Sequence, residues 1–110
     1  MPIEVTPRHF TGLEQATAEI GSDGLSFLDA QVSPDKLTPT AHEHPYPVLM
    51  YILEGIFELH EPGTGITHRL EAGTRCLVPA GTSHSEYSPE GFRAAIGLPA
   101  DPATLNAAAA

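Results

Sequence analysis

The sequence predicts an all-β domain of the sandwich or barrel kind, and three observations carry that expectation. Eleven prolines and ten glycines are spread through 110 residues, which imposes frequent turns and leaves little room for long helices. Runs rich in β-branched and aromatic residues recur about every ten positions between those turns. The longest, Val48 to Gly55, is introduced by two histidines in Ala41-His42-Glu43-His44-Pro45-Tyr46-Pro47. The length suits one domain rather than two independent cores, and a hydrophobic share of 41% suffices for one packed interior.

Residues 1–24 form an N-terminal arm or edge elements in this scheme. Met1 to Thr11 holds Pro2 and Pro7 without a clear period, as an arm or an edge strand would. Leu13, Ala16 and Ile20 fall at roughly helical spacing, but Thr11, Thr17 and the following Gly21-Ser22-Asp23-Gly24 predict only a short turn of helix or an irregular strand. Residues 25–99 supply the barrel. Leu25 to Val32 alternates imperfectly between turn residues and reads as a strand, and Ser33 to Thr40, with Pro34 and Pro39, as a loop. Ile56 to His60 and Ile66 to Leu70 make a hairpin around Glu61-Pro62-Gly63-Thr64-Gly65. Arg75 to Pro79, Thr82 to Tyr87 and Phe92 to Leu98 follow as further short strands. Residues 100–110 end in polyalanine with nothing obvious to pack against, and are expected to form a tail.

Five basic residues face 14 carboxylates, and a formal charge of -9 opposes binding to a phosphate backbone or an anionic lipid surface. Neither nucleic acid nor membrane is an expected partner. The single cysteine, Cys76, excludes an internal disulfide and fits a reducing compartment, and no apolar run approaches a signal core or a membrane span. A cytoplasmic location is therefore expected. Cys76 lies in a strand of alternating burial and reads as a small core residue rather than a nucleophile.

Side chains two apart on a strand share a face, so His42 and His44 project together, near enough to hold one ion. Tyr46 has the same parity and is expected to line the same pocket as an acid or hydrogen-bond donor, with Met50 and Ile52 as apolar wall and Glu43 facing away. His84 lies about 40 positions on, and a barrel is a fold that brings two such strands together around a cavity. It closes a second pattern: Gly73, five residues, Pro79-Ala80-Gly81, two residues, His84, in which Pro and Gly set the turn that aims the histidine inward.

This second pattern closely resembles the second motif of the cupin superfamily. The run from His42-Glu43-His44 to Gly55 resembles the first, and the stretch of residues 56–72 between them is as short as in small single-domain bacterial cupins. The resemblance implies a cupin-type jelly-roll β-barrel. It also implies that His42, His44 and His84 bind a divalent metal. The glutamate of the first motif does not carry over, because Val48 and Leu49 stand where it is expected, and Ser88 replaces the terminal asparagine of the second.

Three neutral imidazoles leave an ion's charge uncompensated and favour an anionic or chelating ligand. Glu86, two residues beyond His84 and on the same face, is the local candidate for a fourth ligand, a supporting partner or a base. His60 and His68, on opposite strands of the predicted hairpin, read as surface, and His9 is assigned no role. Imidazole-rich sites accept several metals; Fe(II) or Zn(II) is expected first, then Ni(II) or Mn(II). The resemblance implies a metal-dependent dioxygenase, isomerase or cyclase acting on an oxygen-chelating substrate. The rival is a non-catalytic cupin that binds or senses a ligand with an intact barrel and no metal. A homodimer is expected, since a small barrel has edge strands to cover.

Overall fold

The computed structural model describes residues 3–37 and 39–99, so the expected tail at 100–110 lies outside the described residues. Among the described residues, eight strands form two antiparallel sheets. In chain order these are β1 (Glu4–Thr6), β2 (Ser26–Val32), β3 (Val48–Gly55), β4 (Phe57–Glu61), β5 (Ile66–Leu70), β6 (Arg75–Val78), β7 (Ser85–Tyr87) and β8 (Phe92–Leu98). A five-stranded sheet has the order β1-β6-β3-β8-β2 and a three-stranded sheet the order β5-β4-β7. Non-sequential neighbours in both sheets are the mark of a jelly roll.

The interior between the sheets is apolar. Met50, Ile52, Cys76, Val78, Phe92 and Ala94 from the larger sheet meet Phe57, Leu59 and Leu70 from the smaller one, all buried. Phe57 and Phe92 stack across this interior with ring centroids 4.3 Å apart. Burial raises the Cys76 thiol to about 12, so it stays protonated.

The helix expected to be marginal is complete: α1 spans Leu13–Ser22. Tertiary packing overrides its weak propensity. Ala16 and Ile20 are buried against Leu49, Tyr51 and Ala95 on the outer face of the larger sheet. β3 is thus covered on both faces, which explains why its sequence is apolar nearly throughout instead of alternating. The N-terminal segment contributes β1, which pairs with β6 from Glu4↔Leu77 to Thr6↔Arg75.

β2 pairs with β8 over its whole length, from Ser26↔Leu98 to Val32↔Phe92, and ends the larger sheet. Arg93 on β8 fixes that register with a two-point fork onto Asp29, Nε to Oδ1 at 3.0 Å and Nη2 to Oδ2 at 2.7 Å. On this edge strand Phe27 and Leu28 stay 42% and 49% exposed. The chain turns into a short 3-10 helix at Pro34–Lys36, within the stretch expected to be loop.

Candidate metal centre

The run from His42 to Gly55 is not one strand. His42 and His84 form an isolated antiparallel bridge beside β7, whereas β3 begins only at Val48, in the other sheet. Pro45 and Pro47 mark the crossing, as two residues that cannot donate to a ladder should. The His42 N–H donates to the His84 carbonyl and the His84 N–H to the His42 carbonyl, both at 2.9 Å. Directly opposed residues of an antiparallel pair point to the same face, so this bridge delivers both imidazoles to one side and His44 joins them by parity.

The turn that sends the chain into His84 is built as its sequence predicts. The Thr82 N–H donates to the Pro79 carbonyl at 3.3 Å, and Gly81 takes φ 75°, a conformation that a side chain disfavours. The Gly81 N–H donates to the His44 carbonyl at 2.8 Å, tying the two histidine segments at a second point.

His42, His44 and His84 each offer a ring nitrogen within 4.8 Å of the others. Their ring centroids are 5.0 Å apart for His42 and His44, 4.5 Å for His42 and His84, and 5.5 Å for His44 and His84. His84 is buried, at 3% exposure, while His42 and His44 are half-buried. Two of the rings have their tautomer set by the backbone. The His84 Nδ1 lies 2.9 Å from the Thr82 carbonyl and the His42 Nδ1 lies 3.2 Å from the Thr40 carbonyl. A carbonyl only accepts, so each Nδ1 carries the proton and each Nε2 presents its lone pair. The arrangement recurs because each acceptor belongs to the residue two positions upstream. That shared Thr-x-His spacing, Thr40-Ala41-His42 and Thr82-Ser83-His84, is a sequence signal that reading the histidines alone overlooks.

Glu86 Oε2 stands 3.9 Å from both His42 Nε2 and His84 Nε2. The carboxylate therefore faces the same two lone pairs, and neither Val48 nor Leu49 brings a charge to the cluster. Those two are in the fold's packing: Val48 lies against the interior core and Leu49 in the cluster beneath α1. The Tyr46 ring stacks on His44 at 5.5 Å and 21°, and Glu43 is exposed. Met50 and Ile52 are enclosed in the barrel core. Burial lowers the pKa of His44, repulsion from His42 and His84 adds to that, and Glu86 partly opposes it. The neutral, ligating form is favoured. Three clustered imidazoles with two fixed Nε2 lone pairs and an adjoining carboxylate suit a divalent ion of the borderline class.

Other histidines have defined partners. His68 Nε2 meets Glu61 Oε2 at 3.0 Å in a largely buried pair, and that bond lowers the Glu61 pKa. This differs from the surface role expected for His68. His60 bonds Thr67 Oγ1 at 2.9 Å on the exposed face. His9, assigned no role from sequence, belongs to a polar network beneath α1: Glu19 Oε1 accepts from His9 Nε2 at 2.7 Å and from the Tyr51 hydroxyl at 2.8 Å, and Glu19 Oε2 accepts from Gln15 Nε2 at 2.9 Å. Arg75 Nε donates to the Tyr51 oxygen at 3.3 Å.

Fold and site together describe a jelly-roll β-barrel with three clustered histidines. Among solved structures it is similar to a DUF861 family protein from Thermotoga maritima, at 15% identity and TM-score 0.60, covering 88% of this chain and 99% of that one. It is likewise similar to protein NMB1881 from Neisseria meningitidis, at 17% identity and TM-score 0.59, covering 90% of this chain and 84% of that one. No family model matches the chain, and no curated protein matches it. Among the described residues, no helix is long and apolar enough to cross a membrane.

Proposed function

We propose that the protein is a metal-dependent small-molecule enzyme of the cupin type, a dioxygenase, isomerase or cyclase whose substrate presents chelating oxygens. The observation that supports this most is the pair of Nε2 lone pairs, on His42 and His84, set facing Glu86 by backbone acceptors at Nδ1. His42, His44 and His84 would hold the ion, with Fe(II) or Zn(II) preferred and Ni(II) or Mn(II) accepted. Such an ion supplies Lewis-acid polarisation of an oxygen donor or, as iron, oxygen chemistry.

The chain's own groups do the rest. Glu86 serves as fourth donor or takes a proton from the substrate at Oε2. Tyr46, stacked on His44, holds that ring and offers its hydroxyl as acid or hydrogen-bond donor. The protein acts in the cytoplasm as a homodimer, in which the exposed edge of β2 is covered. The absence of the first-motif carboxylate favours one rival, a ligand-binding barrel without metal.

Metal analysis of tag-free protein separates the two. The enzyme reading expects close to one ion per chain and its loss in His84→Ala. A wild type that is purified without metal and refuses added Fe, Zn, Ni and Mn sinks it.

A further inference from the structure

Leu28 is 49% exposed although its side chain points into the barrel. It stands directly opposite Ile96, as Ala30 and Val32 stand opposite Ala94 and Phe92, and directly opposed residues of an antiparallel pair share a face. Phe92 and Ala94 are buried in the core between the sheets, with Ile96 and Val32 packed against it, so that face is the interior. At Leu28 the smaller sheet therefore leaves the larger one uncovered. From Leu28 to Val32 and from Phe92 to Ile96 this face carries no hydroxyl, amide or charge.

The histidines lie at the same end of the barrel. Ile96 is opposite Met50, one same-face step inside Val48, where β3 begins and pairs with Val78. His44 precedes Val48 by four residues, and the Gly81 N–H, three residues after Val78, donates to the His44 carbonyl. The stack of Phe57 on Phe92 marks the other end. Glu86 is directly opposite the core residue Leu59, so it and His84 point into the barrel from the smaller sheet. The interior here has a polar wall of imidazoles and carboxylate, and an apolar wall across from it. Met50 and Ile52, expected as that wall, are enclosed, whereas Leu28 is open to a ligand. We propose that Leu28 and Ile96 form the specificity-determining wall of the metal site, and that the substrate carries a compact branched alkyl group beside its chelating oxygens. This rests on the metal-centre reading above. A polyhydroxylated chain would leave hydroxyls unpaired against such a wall, while an alkyl group covers it favourably.

Two isosteric hydroxamates share the chelating head and differ by a methyl against a hydroxyl. Zinc-loaded full-length protein is titrated with isovalerohydroxamate and β-hydroxybutyrohydroxamate by calorimetry, with the methyl resonances of Leu28 and Ile96 followed by NMR. Isovalerohydroxamate is expected to bind about tenfold more tightly, the difference between setting a methyl and a hydroxyl on an apolar surface. In Leu28→Ser and Ile96→Thr the ratio falls towards one, whereas Phe27→Ser, on the opposite face of β2, keeps it. Equal affinities in wild type, or a complex that leaves both resonances unmoved, overturns the wall. So does a ratio that follows the monomer fraction in sedimentation instead of the side chain substituted. If the wild type takes up no zinc, the metal-centre reading fails separately. Isovaleramide alone then decides the wall: shifts at Leu28 and Ile96 support it and their absence overturns it.

Discussion

His42 and His84 exchange backbone hydrogen bonds in both directions at 2.9 Å, although 42 lies before β3 and 84 before β7. A single bridge is a weak ladder, and here it joins the two chain segments that carry all three clustered imidazoles. An ion held by side chains from both segments would reinforce it. Saturating Zn(II), at about a hundredfold over its dissociation constant, should stabilise the fold by about 3 kcal/mol and raise the melting temperature by roughly ten degrees or more. Thermal melts followed by circular dichroism check this. Chelator should reverse the shift, and His84→Ala should show none.

Glu86 faces the Nε2 atoms of His42 and His84 equally. As a fourth donor, its change to Gln should weaken metal binding by about ten- to a hundredfold while leaving the fold intact, by analogy with other groups that tune a metal centre. Competition against a chromophoric chelator measures this. An unchanged affinity together with lost turnover would assign Glu86 to proton transfer instead.

Beneath α1, hydrogen bonds from His9, Gln15 and Tyr51 lower the Glu19 carboxyl from its ordinary 4.5 to about 2. A carboxyl depressed in the folded state binds its proton more tightly when unfolded. Its stabilisation is therefore present above about 4.5 and is lost as the pH falls towards about 2. Glu19→Gln should flatten the acid limb of a stability profile in that window. Glu61, depressed chiefly by His68, remains to give part of the slope. Urea midpoints at a series of pH values provide the test, and an unaltered limb would remove Glu19 from the account.

The edge of β2 carries Phe27 and Leu28 at 42% and 49% exposure. Long apolar edges pair with other chains unless protected. In the proposed homodimer, Leu28→Lys should shift sedimentation towards monomer with little change in monomer stability. A wild type that sediments as a monomer at high concentration would contradict the dimer.

The sequence made the strands legible because turn residues punctuate them and their pattern is short-range: the hairpin of β4 and β5 needs only residues 57–70. The two histidine motifs were legible for a related reason, since parity and the Pro79 to Gly81 turn are local. α1 was under-read because its stability comes from Leu49, Tyr51 and Ala95, which are distant in sequence. The sheet switch at Pro45 to Pro47 was hidden because the apolar run of β3 looks continuous with what precedes it. The partner of His9 was hidden because it depends on the docking of α1, whereas Glu61 lies diagonally across the hairpin from His68, a neighbour that the exact register of the two strands brings into reach.

Cys76 sits in the barrel core as the only thiol in the chain, and its high pKa keeps it from forming thiolate at neutral pH. The thiol is consequently shielded from alkylating and oxidising reagents while the chain is folded. Any covalent dimer formed in air would report unfolding and not assembly. Among the described residues the sulfur atoms, on Met50 and Cys76, are buried and do not compete with the imidazoles for added metal. A cysteine introduced at exposed Ile66, at the start of β5, would be the single reactive handle for a spectroscopic label.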